Sequence, residues 1–560
     1  MKKNKDIPYI IIIILVTTII LLQLFLNVRY EGHDTIFHIS NIIKLSNTIS
    51  IKNIFGSNII AHNFNPYGYG VWLFYPKLPH LSTAYIYLLT KDIYLSMKII
   101  YFITTSLSGI FTYYLAKKIT KNKEVSLLSS IIYLTTPYHL CEIYVRDAIA
   151  ENFMFLVLPM IFLGLYNLKE NNYKKFYILF ILGYIIGMNS HLISMVYYTF
   201  FVGIFILYYR KEYLKKDKIK ALVISTIIVT ITVLPSLVNL ISHKMLGIYR
   251  VFTSEFSSIL DVTYNALDFS SLYNQNTILN KIQPYFSIIT IILFLITTIN
   301  LMLSKNKPLK KDKKILLIFI IILINLICSR IIWQYLPDFL YSIQFPWRLL
   351  VLLSLIVALY STLILLNEKI PTFLKKTLPL MIVILVITEG ISNIIYFSGN
   401  VMTINEALNS TISLGFQHEY LPYTEDSDFK SYVKCHKKYF QCREEGIIPE
   451  EKLEINIINE EFPNLEFEIK NIKKETIIEL PRIYYLGYKL TDNDNKKLNL
   501  TMNENGFLEA KITKNGIYKL QYNEIIQTKR AKIIRITTFV ILGIIIVYKR
   551  RLSNAKNTTN

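Results

Sequence analysis

The sequence predicts a mainly α, polytopic membrane helical bundle with a small extracytoplasmic β domain ahead of its last span. Three observations predict it. The first is composition: the 560 residues are 52% hydrophobic and 18% charged, with mean hydropathy +0.38, whereas soluble domains carry about 25% charged residues. The second is that apolar runs of membrane-crossing length recur along the chain. The third is that the Lys and Arg behind the net charge of +22 lie in short clusters between those runs. A nucleic-acid partner would require them on one soluble patch, so nucleic acid is excluded; clusters on alternate loops are the positive-inside pattern. The Ile-, Asn-, Lys- and Tyr-rich composition suggests an AT-rich bacterial genome.

Met1-Lys2-Lys3-Asn4-Lys5 opens the chain, and an almost unbroken apolar run follows from Pro8 to Leu26. That run is longer than a signal-peptide core, and NVRYEG after it lacks a small-residue cleavage site. It reads as an uncleaved first helix with a cytoplasmic N-terminus. A helix needs about 20 mainly apolar residues to cross the hydrocarbon core. By that measure further spans are expected near 93–115, 125–140, 150–168, 175–190, 191–209, 219–241, 284–304, 314–334, 347–367, 373–397 and 533–548, about twelve in all. LPHLSTAYIYLLT at 78–90 is too short to span and reads as re-entrant or interfacial. With the N-terminus inside, strict alternation places AKKITKNKE, LKENNYKK, YRKEYLKKDKIK, SKNKPLKKDKK, NEKIPTFLKK and the tail YKRRLSNAK inside, all rich in Lys and Arg. The short outside loops PYHLCEIYVRDAIA, MNSH and SRIIWQYLPDFLYSIQFP hold two Arg and no Lys. Both termini are therefore expected in the cytoplasm.

Three outside segments are long: 28–92, 242–283 and 398–527. The last contains KLEINIINEEF, NLEFEIKNI, ETIIELPRIYYLGYKL and GFLEAKITKNGIYKLQY, with NG at 505–506 and 515–516. That alternation with turn signals predicts strands of a small β domain. The expected organisation is a bundle over 1–397 carrying outside loops 28–92 and 242–283, a β-rich domain over 398–527, and a last helix with a basic tail over 528–560. Cys141 and Cys328 sit near span ends and read as packing residues. Cys435 and Cys442, in CHKKYFQC, suit either a disulfide closing a short outside loop or unpaired thiols; a metal site with His436 lacks ligands in register.

Ionisable residues gather where apolar runs meet the outside. YEGHDTIFHI supplies Glu31, His33, Asp34 and His38. EIYVRDAIAE supplies Glu142, Arg146, Asp147 and Glu151. His191 lies between two apolar helices, and QFPWR carries Arg348, with Arg330 and Asp338 nearby. Each has a plain structural reading. Asp34 suits a helix N-cap, Arg348 a snorkelling side chain beside a belt tryptophan, Glu142 and Arg146 an i,i+4 ion pair, and His191 a polar helix end. Placed together on one side of a membrane, they suit a site. A carboxylate can take the proton of an acceptor hydroxyl, and Arg and His can neutralise a phosphate leaving group. No nucleotide pool exists outside the cytoplasm, so an activated sugar there must be lipid-borne. No P-loop, GxGxxG or GxSxG is apparent.

GHDTIFHISNIIKL, YGYGVWLFYPKLPHL, YVRDAIAENFMFLVLP, the His191 hairpin, QFPWRLL, EYLP and LPRIYYLGYKL together resemble a family of bacterial multi-spanning proteins labelled "6-pyruvoyl-tetrahydropterin synthase-related". The resemblance covers nearly the whole chain, although no pterin-enzyme pattern accompanies it. The family architecture is similar to GT-C-type glycosyltransferases, which use polyprenyl-phosphate sugars. The resemblance implies a membrane glycosyltransferase moving a sugar from a polyprenyl-phosphate donor to a cell-envelope glycan or lipid acceptor on the outer face. It implies Asp34 as the catalytic candidate, a general base or acceptor-orienting group, with His33 and Glu151 in support. Arg146, Arg348 and His191 would bind substrate, and Tyr67 and Trp72 of the YGYGVWLFYP loop would stack on sugar or lie in the interface. The position after Arg146 departs from the family in carrying Asp147. Some GT-C relatives use a divalent metal, for which Asp34, Glu31 and Glu151 offer oxygens, but the sequence requires none. The rival readings are a lipid or polysaccharide transporter, which would place ionisable groups mid-span, and a non-catalytic scaffold for envelope assembly.

Overall fold

In the computed structural model the described residues are 5–26, 32–63, 66–253, 258–272, 288–303, 307–366, 403–410, 418–423, 447–449 and 453–558, with 373, 377 and 384. They fall into two contact units. One comprises Met1–Gly56, Pro76–Ser225 and Ser254–Ser413; the other comprises Ser57–Tyr75, Thr226–Thr253 and Leu414–Asn560.

Among the described residues five helices are long and apolar enough to cross a membrane, by length and composition: Ile7–Leu26, Ile93–Thr120, Ile149–Lys169, Lys216–Lys244 and Pro346–Leu366. Shorter apolar helices follow at Leu192–Tyr208 and Thr290–Met302. These support a membrane protein, but the expected count of about twelve spans is not reached among the described residues. The span expected at 125–140 is two helices, Lys123–Leu134 and Pro137–Tyr144. Pro137 has no N–H to continue a helical ladder and drives the residue before it to extended backbone; Thr136 accordingly takes φ −53°, ψ 131°. The 175–190 and 191–209 pair forms helices of 16 and 17 residues, Tyr173–Met188 and Leu192–Tyr208. The 78–90 stretch is a 13-residue helix, Leu78–Thr90. The 373–397 span lies almost wholly outside the described residues, as do Cys435 and Cys442, while Cys141 and Cys328 are buried free thiols.

Within the first unit Ile149–Lys169 is the central helix. Its apolar window is buried throughout, and it packs on Ile93–Thr120 and Tyr173–Met188. Lipid gives no hydrophobic drive between helices, so close fit at small residues carries their association. At Gly109 a Cβ would stand 2.8 Å from side chains of both Ile13 and Leu134, and Ser130 Oγ donates to the Gly109 carbonyl at 2.7 Å. At the Lys169 end of the bundle Lys117 pairs with Asp6, and Lys118 and Lys121 pair with Glu170.

The second unit holds the β region. Its described strands are β1 (Ile448–Pro449), β2 (Glu454–Asn459), β3 (Leu465–Lys470), β4 (Thr476–Ile483), β5 (Tyr488–Thr491), β6 (Lys497–Leu498), β7 (Leu500–Met502), β8 (Phe507–Ile512) and β9 (Gly516–Tyr522). They form two antiparallel sheets, ordered β1-β4-β8-β7 and β2-β3-β9-β5-β6. Alternation makes these strands: β3 buries Leu465, Phe467 and Ile469 and turns Glu466, Glu468 and Lys470 outward, which gives one packed and one wetted face. The Asn505-Gly506 turn uses the left-handed backbone, φ +80° at Gly506, which glycine adopts without a Cβ penalty. The YGYGVWLFYP segment belongs to this unit. Ile483 N–H donates to the Tyr67 carbonyl at 3.0 Å, and the Tyr67 ring meets Phe507 edge-on at 5.3 Å. Phe74 stacks on Tyr420 at 5.5 Å.

Candidate functional site

Glycine at position 32 lets two chain segments touch. A Cβ there would stand 2.7 Å from Asp147 Cβ and 2.9 Å from the Val145 carbonyl. With none present, the next residues lie against 145–146: His33 N–H donates to Val145 O and Asp34 N–H to Arg146 O, both at 2.9 Å. Helix Thr35–Ser46 then begins. Asp34 occupies its N-cap position, yet its side chain makes no capping hydrogen bond. The carboxylate instead stands 3.6 Å from Arg146 Nη2.

Arg146 joins two further carboxylates. Its Nη1 lies 2.8 Å from Glu142 Oε1 and 3.0 Å from Glu151 Oε2. Glu151 opens helix Ile149–Lys169, where the positive end of the helix dipole favours an acid. Its other oxygen reaches Arg348 Nε at 3.2 Å and His191 Nε2 at 3.8 Å. Arg348 Nη1 donates to the Ile343 carbonyl at 2.7 Å and to Gln344 Oε1 at 3.3 Å, and its guanidinium covers the Phe345 ring at 4.8 Å. His191 caps Leu192–Tyr208, its Nδ1 accepting from Ser194 N–H at 3.3 Å. Arg348 is therefore a buried ion-pair partner rather than a snorkelling side chain, and the Glu142–Arg146 pair is one edge of a network rather than a surface i,i+4 contact.

Burial separates the members. The Glu142 side chain is 0% exposed and that of Glu151 4%, while that of Asp34 is 42% exposed. Burial pushes the Glu142 carboxyl up, against the pull of Arg146, because a dry environment disfavours the charged form. Asp34 is thus the solvent-facing carboxylate of an otherwise buried network.

Of the residues expected from sequence, Asp34, Glu151, Arg146, Arg348 and His191 form this connected cluster, and exposed His33 adjoins it through Asp34. Tyr67 and Trp72 belong to the second unit, where both are buried. Arg330 pairs with Asp268 at 3.7 Å on an exposed face. Glu31 lies outside the described residues. Among the described residues no group of three His, Cys, Asp or Glu is placed to hold a metal ion. Glu151, one of the oxygens offered to a metal, is instead bound to two guanidiniums, and no chemistry is routed through an ion.

The sequence placed His38 and Asp147 among the ionisable residues at the membrane edge without giving either a partner, and it did not single out His80. His38 Nδ1 and His80 Nε2 stand 2.8 Å apart, both buried. Burial holds His38 down to about 4 and His80 well below the usual imidazole range. Asp147, the residue after Arg146, is fully buried and takes a left-handed backbone, φ +56°. A histidine on each of two apolar helices was the available signal for the histidine pair; nothing in the spacing pairs 38 with 80.

No protein-family model matches this sequence. No curated protein matches it either. Among solved structures, the chain is similar to ArnT from Cupriavidus metallidurans bound to undecaprenyl phosphate, at 11% identity and a TM-score of 0.39, over 74% of this chain and 77% of that one. It is also similar to the apo oligosaccharyltransferase of Archaeoglobus fulgidus, at 12% identity and a TM-score of 0.39, over 78% of this chain. The match spans 60% of that second protein's length. Likenesses at this score carry no argument for what the chain does.

Proposed function

We propose that this chain is a membrane glycosyltransferase. It moves a sugar from a polyprenyl-phosphate donor to a cell-envelope glycan or lipid on the outer face of the membrane, with both termini in the cytoplasm. One observation carries the reading: Asp34 occupies a cap position, leaves the cap unmade, and presents a half-exposed carboxylate beside the buried Arg146. A capping aspartate would have satisfied its own helix. Asp34 is instead available to a group arriving from solvent.

In the reaction, the acceptor hydroxyl loses its proton to Asp34 while its oxygen forms a bond to the sugar's anomeric carbon. The bond from that carbon to the donor phosphate breaks, and its electron pair leaves with the lipid phosphate. His33, next to Asp34 and exposed, lies where the acceptor enters. Arg146 and Arg348 already have carboxylate partners, so they act by positive potential near the leaving phosphate rather than as open forks. Glu151 and His191 hold those two guanidiniums in place.

The test is the envelope glycan profile of a deletion strain complemented with native protein or Asp34→Asn. An exposed ion pair is worth about 0–1 kcal/mol, so the variant should accumulate in the membrane at native levels. A glycan that native protein restores and Asp34→Asn does not is the expected result. Full restoration by Asp34→Asn overturns the proposal.

A further inference from the structure

Asp147 lies next to a proposed substrate-facing segment without facing the substrate. Its carboxylate accepts two hydroxyl hydrogen bonds, from Thr35 Oγ1 to Oδ2 at 2.5 Å and from Tyr101 Oη to Oδ1 at 2.6 Å. Thr35 Oγ1 in turn accepts from Gly32 N–H at 2.7 Å. Tyr101 stands on the membrane-length helix Ile93–Thr120 and is fully buried. One carboxylate therefore ties the Gly32–Thr35 turn, the 145–147 segment and a rigid helix into a single node. Between its two chain segments run the backbone bonds from His33 to Val145 and from Asp34 to Arg146. The node adjoins Asp34 on one strand and Arg146 on the other.

Backbone conformation adds a second, independent observation. Asp147 takes φ +56°, a region that only glycine enters freely and that Asp and Asn tolerate better than other residues. A small residue would satisfy that backbone alone. Aspartate adds a buried charge, which is costly unless hydrogen-bonded, and here both oxygens are engaged by hydroxyls.

We propose that Asp147 is a positioning residue, holding Asp34 against Arg146 through Thr35 and Tyr101; the catalytic consequence rests on the transferase reading of Asp34. Without the Asp147 carboxylate, the Gly32–Thr35 turn loses the hydroxyl bonds that link it to Tyr101 of the Ile93–Thr120 helix, and Asp34 moves off the guanidinium.

The experiment uses full-length protein in membranes and a water-soluble carbodiimide, with modification of Asp34 read by peptide mass spectrometry. Asp147→Asn keeps the shape and tolerates the backbone but removes the charge. It should raise modification of Asp34 roughly threefold, the size expected from losing one half-exposed ion pair. Buried Cys328 should stay closed to maleimide, which separates loss of positioning from loss of fold. Should Asp147→Asn fail to accumulate, Tyr101→Phe and Thr35→Val each remove one donor and should give a smaller rise. Native modification rates in the accumulating variants overturn the proposal. If Asp34 is freed while the envelope glycan is still restored in full, the positioning role stands and the transferase reading of Asp34 falls.

Discussion

Glu151 is the node on which both arginines depend, so Glu151→Gln is the sharpest perturbation of the cluster. The carboxylate lies 3.0 Å from Arg146 and 3.2 Å from Arg348. At an effective dielectric near 20, each contact amounts to about 5 kcal/mol of attraction. Dehydrating the carboxylate costs several kcal/mol in return. The net loss on removing one partner of a buried pair is about 3–5 kcal/mol. The two arginines do not suffer equally. Arg146 keeps Glu142 and Asp34, whereas among the described residues Arg348 keeps neutral partners, the Ile343 carbonyl, the Gln344 amide oxygen and the Phe345 ring. In Glu151→Gln, then, Arg348 becomes a buried cation without a counter-charge, and removing it as well should relieve part of the damage. The assay is a double-mutant cycle on unfolding in mixed micelles with Glu151→Gln, Arg348→Met and the pair. The double variant should cost less than the sum of the singles by about 1–3 kcal/mol. Additivity to within about 0.5 kcal/mol would refute the network as drawn.

The buried histidine pair predicts an acid limit. His38 titrates at about 4 when folded against about 6.5 when unfolded. The unfolded chain therefore binds more protons between those values, and stability is full above pH 6.5 and falls as pH drops through 4. The loss is about 3 kcal/mol, with His80, Asp34, Arg146 and Glu151 as the charged or titratable neighbours. Unfolding midpoints from pH 7 to 4 should slope less in His38→Gln, and an unchanged slope counts against the pair. Gly32→Ala should destabilise by about 1–3 kcal/mol, since its Cβ would meet Asp147 Cβ at 2.7 Å and the Val145 carbonyl at 2.9 Å. A native unfolding midpoint in Gly32→Ala would show that the turn has room the geometry denies it.

The β region was legible because its signal is local. β3 and β9 alternate strictly enough that the buried face follows from the sequence, while the pairing of Leu465 with Leu520 and Phe467 with Tyr518 comes from the fold. The cluster was legible in part. Asp34, Arg146, Glu151, His191 and Arg348 all stand where an apolar run begins or ends, and helix ends on one side of a bundle meet. Which of them is exposed was not legible, because exposure depends on neighbours distant in sequence. The aromatic loop shows the same limit. Tyr67, Trp72 and Phe74 look alike as sugar platform, membrane belt or core, and only their burial in the second unit separates these. Asp147 read as a departure from a pattern because its partners, Thr35 and Tyr101, lie on other segments. The run at 125–140 divides where one residue outranks hydropathy: Pro137 breaks a stretch that composition alone leaves whole.

The charge balance of the cluster bears on the order of events in the proposed reaction. Fully ionised, Asp34, Glu142 and Glu151 against Arg146 and Arg348 leave one net negative charge, which would repel a lipid-borne phosphate. Burial pushes the Glu142 carboxyl up, toward its neutral acid, which lessens that repulsion. A sugar phosphodiester carries one negative charge, and its leaving phosphate carries two. When Asp34 takes the acceptor's proton, the cluster becomes more positive by one charge as the phosphate becomes more negative by one. Positive potential then appears as negative charge develops, the condition under which electrostatics lowers a barrier rather than merely binding substrate. Arginines already paired with carboxylates suit that arrangement better than free ones, because an open guanidinium fork would hold the donor phosphate before reaction as firmly as after it. The same reasoning explains why the exposed member of the network is a carboxylate: the proton must arrive from outside, while the countercharge needs only to lie behind it.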